Sequence, residues 1–300
     1  MRIEDDDIIR IKGIKKAYAK TEVLKEIDLS IKNNSVVGLI GDNGAGKTTL
    51  IKCICGLVQP TDGEIFFPKN VKDKIDTYRR TNIGVLLEGA RNLYHFLSVE
   101  DNLDYFGNLN RINQKEINRR KEYLLKEFNL EKYRKKPVNE LSRGMQQKVA
   151  LMVVLIKNPQ IMILDEPTLG LDLVSTIKMI DILKKIIGDG KTLIIVSHDL
   201  EVIRQLCERV IFLKDGEVNF DEPIGTMLRN NTFIIKLKYD KSVVDRLELK
   251  KLSYEVDDGI IMYETQNLLD TLAIFPIDYV ISIEKENDTL EKYIRERIGK

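Results

Sequence analysis

Cysteine is scarce: the chain holds three, Cys53, Cys55 and Cys207, too few and too oddly placed for a disulfide scaffold, and C-x-C is not a usual zinc spacing. Cys53 and Cys55 share an apolar stretch with Leu50, Ile51 and Ile54, so they are expected to serve as packing residues. An excess of one charge is also missing. The 48 Lys and Arg against 47 Asp and Glu leave a net charge of +1, which speaks against a nucleic-acid-coating protein or an acidic tail. The longest apolar run, 149–156, is far short of the roughly 18 to 20 residues that span a bilayer, so any membrane role is expected to come through a partner. Glu4, Asp5, Asp6 and Asp7 stand where a secretory leader would have basic and then apolar residues, and the chain is expected to stay in the cytosol. Internal repeats and low-complexity segments are absent. What the sequence has in quantity is core material, since 43% hydrophobic residues over 300 positions suffice for one or two packed domains.

Apolar periodicity divides the chain. Segments 8–14 and 27–31 alternate as short amphipathic strands, and Val36-Val37-Gly38-Leu39-Ile40 is a continuous apolar run of the buried-strand kind. Ile161-Met162-Ile163-Leu164 and Leu193-Ile194-Ile195-Val196 are of the same kind and are separated by a helical stretch over 173–187, which predicts a mainly parallel sheet covered by helices. Between 98 and 139 the chain turns polar and helix-forming, opened by a candidate capping box at Ser98 and Asp101, and reads as a helical insertion. The stripe Val149, Met152, Val153 and Ile156 that follows it reads as helix core.

Beyond about 225 the pattern restarts: a strand at 232–239, a helix at 243–252, a hairpin of 254–256 with 260–263 around Asp257-Asp258-Gly259, a helix near 268–273, a strand at 279–284 and a helix at 290–298. That β-α-β-β-α-β order suggests a small ferredoxin-like module. Pro223 and Arg229-Asn230-Asn231 are the expected linker. The predicted domains are therefore 1–225, with the helical insertion at about 98–140, and 226–300.

The strongest chemical motif is Gly41-Asp42-Asn43-Gly44-Ala45-Gly46-Lys47-Thr48, immediately after a buried strand and before a helix that starts at Thr48-Thr49-Leu50. Its glycines let backbone N–H groups turn inward around phosphate oxygens at a helix N-terminus, Lys47 can reach the β- and γ-phosphates, and Thr48 can ligate Mg²⁺. A second apolar strand delivers Asp165 and Glu166 at its C-terminal end, where ligands sit in open α/β sheets. Asp165 would hold Mg²⁺ through water, and Glu166 could polarise an attacking water.

These two motifs fit many nucleotide hydrolases. Leu141-Ser142-Arg143-Gly144-Met145-Gln146-Gln147-Lys148, just ahead of the second strand, resembles the LSGGQ signature of ABC ATPases. Further matches keep the family's order: Asp165-Glu166-Pro167-Thr168 runs into Leu169-Gly170-Leu171-Asp172, which looks like the D-loop, and His198 follows the strand ending Ile195-Val196-Ser197, in the switch-histidine place. Tyr18 stands where the family has an aromatic that stacks on adenine. The resemblance covers about residues 5–225. It implies a P-loop NTPase core of ABC ATPase type: a mainly parallel α/β sheet, an N-terminal antiparallel β subdomain and the helical insertion, here with a small α+β C-terminal module. It also implies ATP and Mg²⁺ as ligands, with His198 at the γ-phosphate. His95, the other histidine, is expected to contact a partner or pack locally.

Three positions depart from the family pattern. Arg143 replaces a glycine and Met145 a glutamine of the signature, while Ser142 and Gly144, the residues expected to donate to a γ-phosphate, are kept. Glu88, after Ile83-Gly84-Val85-Leu86-Leu87, stands where the Q-loop normally has glutamine; a carboxylate still ligates Mg²⁺ but adds negative charge beside a triphosphate.

The family's signature and phosphate loop lie on opposite arms of one subunit. The resemblance therefore implies a head-to-tail homodimer or heterodimer with two ATP molecules, each between one subunit's Lys47 and the other's Ser142 and Gly144. It further implies an integral membrane permease that engages 91–97 and keeps the protein at the inner face of the cell membrane, most like the drug-exporter group. Two rivals differ in class. A soluble ABC protein acting on ribosomes or DNA usually carries tandem cores or long coiled-coil insertions, which this chain lacks; a non-hydrolysing partner is at odds with the intact Lys47, Asp165, Glu166 and His198.

Overall fold

The computed structural model describes residues 6–68, 74–87, 92–227, 233–249, 254–265, 277–285 and 290–298. The chain divides into two compact units, Met1–Pro223 and Ile224–Lys300.

The first unit opens with β1 (Asp7–Tyr18) and β2 (Thr21–Lys32), an antiparallel hairpin, and β4 (Asp62–Phe66) adds to the other edge of β1. Both hairpin strands run twelve residues, longer than the apolar alternation at 8–14 and 27–31 predicts. In the added length of β2, Leu24 is buried in the core, while the tip beyond it is held by main-chain pairing, with Ala17 opposite Glu22 and Tyr18 opposite Thr21.

The central sheet is six-stranded, in the order β5 (Ile83–Leu86), β6 (Ile161–Asp165), β7 (Thr192–Val196), β3 (Val36–Gly41), β8 (Arg209–Lys214) and β9 (Glu217–Pro223). It is parallel up to β8, and β9 closes the edge as an antiparallel hairpin. Every residue of β6 and β7 is buried, because covered parallel strands need apolar side chains on both faces. One core unites this sheet with the hairpin sheet through α1 (Lys47–Ile54): Leu50, Ile51 and Ile54 of the helix pack with Ile9 and Ile11 on one side and Leu39, Ile163 and Ile194 on the other. The loop before α1 is thereby clamped between two sheets.

The polar block folds as α3 (Val99–Leu109) and α4 (Gln114–Glu127). Ser98 caps α3, its hydroxyl accepting the Asp101 N–H at 3.1 Å and donating to the Asp101 carboxylate. Leu103, Ile117, Leu124 and Leu125 form the buried stripe, and Lys121 Nζ bridges to both carboxylate oxygens of Asp104 at 2.7 Å. From here α5 (Arg143–Leu155) leads to β6, and α6 (Leu173–Gly188) and α7 (Leu200–Leu206) flank β7 in sequence. Cys53 and Cys207 are buried, and burial pushes the thiols of Cys55 and Cys207 up to about 12, leaving them protonated packing groups. No helix among the described residues is long and apolar enough to cross a membrane.

The second unit begins with a short helix, α8 (Ile224–Met227), followed by β10 (Phe233–Lys238), α9 (Lys241–Leu249), β11 (Tyr254–Asp257), β12 (Ile260–Thr265), β13 (Val280–Lys285) and α10 (Leu290–Ile298). Its strands form an antiparallel sheet in the order β11-β12-β10-β13, with the first strand between the third and the fourth, as in the ferredoxin-like arrangement. Asp258 and Gly259 turn the hairpin with φ of 44° and 76°, the geometry of a two-residue primed turn. Ile235, Leu237, Val243, Leu247, Ile261 and Tyr263 make its core. The predicted helix at 268–273 and linker residues 229–231 lie outside the described residues.

Candidate functional site

The loop 41–46 leaves the C-terminal end of β3 and enters α1 at Lys47. Gly46 is the N-cap residue, with φ 100°; a Cβ there would stand 2.7 Å from Leu24 Cδ2 and 2.8 Å from the Val23 carbonyl oxygen, so both conformation and space call for glycine. No acidic residue occupies the first turn of α1. The helix thus presents unpaired N–H groups and the positive end of its dipole, a site for an anion.

A cleft of about 590 Å³ opens there. On one side it is lined by Asn43, Gly44, Ala45, Gly46, Lys47, Thr48 and Thr49; on the other by Asp165, Glu166 and His198, with Val23, Leu169 and Val196 completing the wall. Parallel pairing of β3 with β7 and of β7 with β6 brings these loops together, since all three strands end on the same edge. A second cavity, of about 250 Å³, lies between α4 and α6 and holds none of the residues predicted from the sequence.

Lys47 is buried, and its Nζ donates to the Gly41 carbonyl at 2.7 Å and the Asp42 carbonyl at 2.9 Å. Burial lowers its pKa, while the charges of Glu166, Asp165 and Asp42 pull it back up. Gly41 and Asp42 therefore hold the lysine, and the cleft wall itself begins at Asn43.

Glu166 is also buried. Its Oε1 accepts the His198 N–H at 2.9 Å, and its Oε2 accepts the Ser197 hydroxyl at 3.3 Å. Desolvation raises its pKa; the charge and backbone N–H of His198 and the Ser197 hydroxyl act against that rise, and Asp165 adds to it. The result is a carboxylate fixed at both oxygens yet more basic than usual, the character of a group that orients and polarises water. The His198 ring Nε2 lies 3.7 Å from Glu166 Oε1, and the side chain is 58% exposed toward the opening.

Tyr18, Ser142, Gly144 and Asp172 do not line this cleft. Tyr18 is half exposed at the hairpin tip, with Lys16 Nζ 5.0 Å from its ring centroid. Ser142 caps α5, Gly144 lies against Leu171, and Asp172 caps α6 by accepting the Ser175 N–H at 2.9 Å, which lowers its pKa. Glu88 lies outside the described residues. Two groups without a predicted role touch the site: Ser197 through its hydroxyl, and Gln147, whose amide donates to the Glu166 carbonyl at 3.3 Å. Ser197 sits at the strand end beside His198, the one local signal that marks it.

Residues 24–169 match the family described as ABC transporter. The chain is 37% identical over 202 residues to the ABC transporter ATP-binding protein NatA of Bacillus subtilis, covering 66% of this chain and 80% of the relative. It is 33% identical over 269 residues to an uncharacterized ABC transporter ATP-binding protein of Methanocaldococcus jannaschii, covering 89% and 98%. Among solved structures, the dimeric post-hydrolysis state of an ATP-binding cassette bound to ADP and Pi is similar with a TM-score of 0.64 at 33% identity, over 72% of this chain and 98% of that one.

Proposed function

Because the chain belongs to the ABC transporter ATP-binding proteins, we propose that it hydrolyses ATP as a transporter subunit whose two sites close head to tail, each completed by a second subunit. The observation that carries the reading is the pairing, across one cleft, of a phosphate loop with a carboxylate held by the His198 N–H and the Ser197 hydroxyl. In this scheme the loop from Asn43 to Thr49 binds the phosphates and Lys47 turns its ammonium to the β- and γ-phosphates. Glu166 polarises the attacking water, and His198 meets the γ-phosphate. Thr48 and Asp165 both line the cleft and offer the oxygen donors that Mg²⁺ takes together with nucleotide phosphates, with Glu88 as a further ligand. When bound, Mg²⁺ would neutralise phosphate charge.

Closure is supported by an apolar rim. Leu169 lines the cleft, and Leu173, Val174 and Ile177 follow on the first turns of α6; all four are exposed, as a face reserved for a second subunit would be. There Ser142, Gly144 and Asp172 would meet the partner's nucleotide, and Tyr18 would stack on adenine.

The permease would dock on the loop 92–97 and hold the protein at the inner face of the membrane. Phe96 is 88% exposed, while buried Asn102 fixes the loop, accepting the Tyr94 N–H at 2.9 Å and donating to the Tyr94 and Ser98 carbonyls at 3.0 and 2.9 Å. An aromatic side chain presented on a pinned loop is an anchor for a partner. Export is the direction of transport proposed for the protein. Purification of the tagged protein from membranes should bring down an integral membrane subunit, and Phe96→Asp should reduce its recovery about tenfold or more. Recovery of ribosomes or DNA in its place, or an undiminished membrane partner with Phe96→Asp, would contradict the reading.

A further inference from the structure

Gln147 is a buried polar side chain that the scheme above leaves unused. It lies on α5, the helix capped by Ser142, and is 5% exposed. Its Nε2 donates to two successive carbonyl oxygens, those of Glu166 at 3.3 Å and Pro167 at 3.2 Å. An amide nitrogen with two N–H groups suits two acceptors; a carboxylate or thioether of similar size supplies no such donor.

The backbone it grips is unusual. Glu166 has φ 51°, a left-handed conformation that a residue with a side chain seldom adopts, and it precedes a proline, whose ring favours an extended neighbour. Such a conformation persists only where its surroundings hold it. The Glu166 N–H is tied to the Val196 carbonyl at 2.8 Å, within the sheet, and the Glu166 carbonyl takes the Leu169 N–H at 3.2 Å, within the same loop. Gln147 is the tie that comes in from a helix.

We propose that Gln147 is a positioning residue for Glu166: by holding both carbonyls it maintains the left-handed turn that aims the carboxylate at the cleft, so that the helix opening at Ser142 also supports the hydrolytic glutamate. The inference rests on the reading of Glu166 as the group that polarises water.

The test is a cycle of purified proteins (wild type, Gln147→Met, Glu166→Gln and the double variant) in which kcat, KM and ATP affinity are measured for each. Gln147→Met should lower kcat about 10- to 100-fold, the scale of a misplaced catalytic group, with ATP affinity within about twofold of wild type. In the Glu166→Gln background the same substitution should change the residual rate by less than about twofold, because nothing is left to aim. Gln147→Asn, whose amide is one methylene shorter, should fall between wild type and Met, and it carries the same test if the Met protein does not fold. An unchanged kcat would overturn the proposal, as would a loss that repeats in full without Glu166. Wild-type turnover by Glu166→Gln would instead remove the reading of Glu166, and the proposal with it.

Discussion

Lys47 and Glu166 face one another across the cleft with their acid–base behaviour moved in opposite directions by the same burial. The lysine is lowered by desolvation and restored by Glu166, Asp165 and Asp42; the glutamate is raised above the ordinary carboxylate value. A carboxylate that must be ionised to polarise water loses activity as pH falls through its pKa. The acid limb of the kcat/KM profile, which reports groups of the free protein, should therefore lie above pH 4.5, the unshifted value for Glu. The Ser197 hydroxyl lowers the Glu166 pKa, so Ser197→Ala should move that limb to higher pH, a shift that initial-rate assays across the acid range would read. An unmoved limb would mean that the hydroxyl does not donate to the Glu166 carboxylate. Lys47→Ala removes an ammonium buried beside the phosphate loop, and steady-state turnover should fall by about 100-fold or more, as on loss of a preorganised donor to developing charge. Wild-type turnover would contradict the role of Lys47.

The loop between β3 and α1 shows what an element contributes beyond its residues. Its shape depends on Gly46 being left-handed and on Val23 and Leu24 of β2 lying too close for a Cβ. Gly46→Ala should cost about 1–3 kcal/mol in chemical denaturation and abolish nucleotide binding, because the strain falls on the turn that starts the helix. Full affinity in a stable protein would show that the turn adapts. This loop is legible in the sequence because its residues are contiguous. So are β3, β6 and β7, as unbroken apolar runs, and Ser98 as a helix cap. The strand β5 has the same apolar character but follows α2 (Ile75–Asn82) with no turn residue between, and only pairing with β6 distinguishes it from a helix end. The β8–β9 hairpin carried a readable signal, Asp215-Gly216 with φ of 50° and 83°, between two runs that alternate poorly. The contacts of Gln147 and Ser197 with Glu166 bridge 19 and 31 residues, and no local pattern encodes a hydrogen bond of that span.

At the scale of the molecule, one cleft gathers the phosphate loop with Asp165, Glu166 and His198, while Ser142, Gly144 and Asp172 stand elsewhere as helix-start residues. The exposed Leu169, Leu173, Val174 and Ile177 give the cleft an apolar border suited to burial by another copy. The proposed closure ties these facts together: ATP bound at Lys47 becomes the surface on which a second subunit's Ser142 and Gly144 dock, and hydrolysis at Glu166 releases it. A protein that binds ATP but cannot hydrolyse it should then remain closed. The most direct measurement is the mass of the Glu166→Gln protein by light scattering with Mg²⁺, with and without ATP. Monomer without nucleotide, dimer with ATP, and monomer again when Ser142→Arg is added is the result the account predicts; monomer under all three conditions would contradict it.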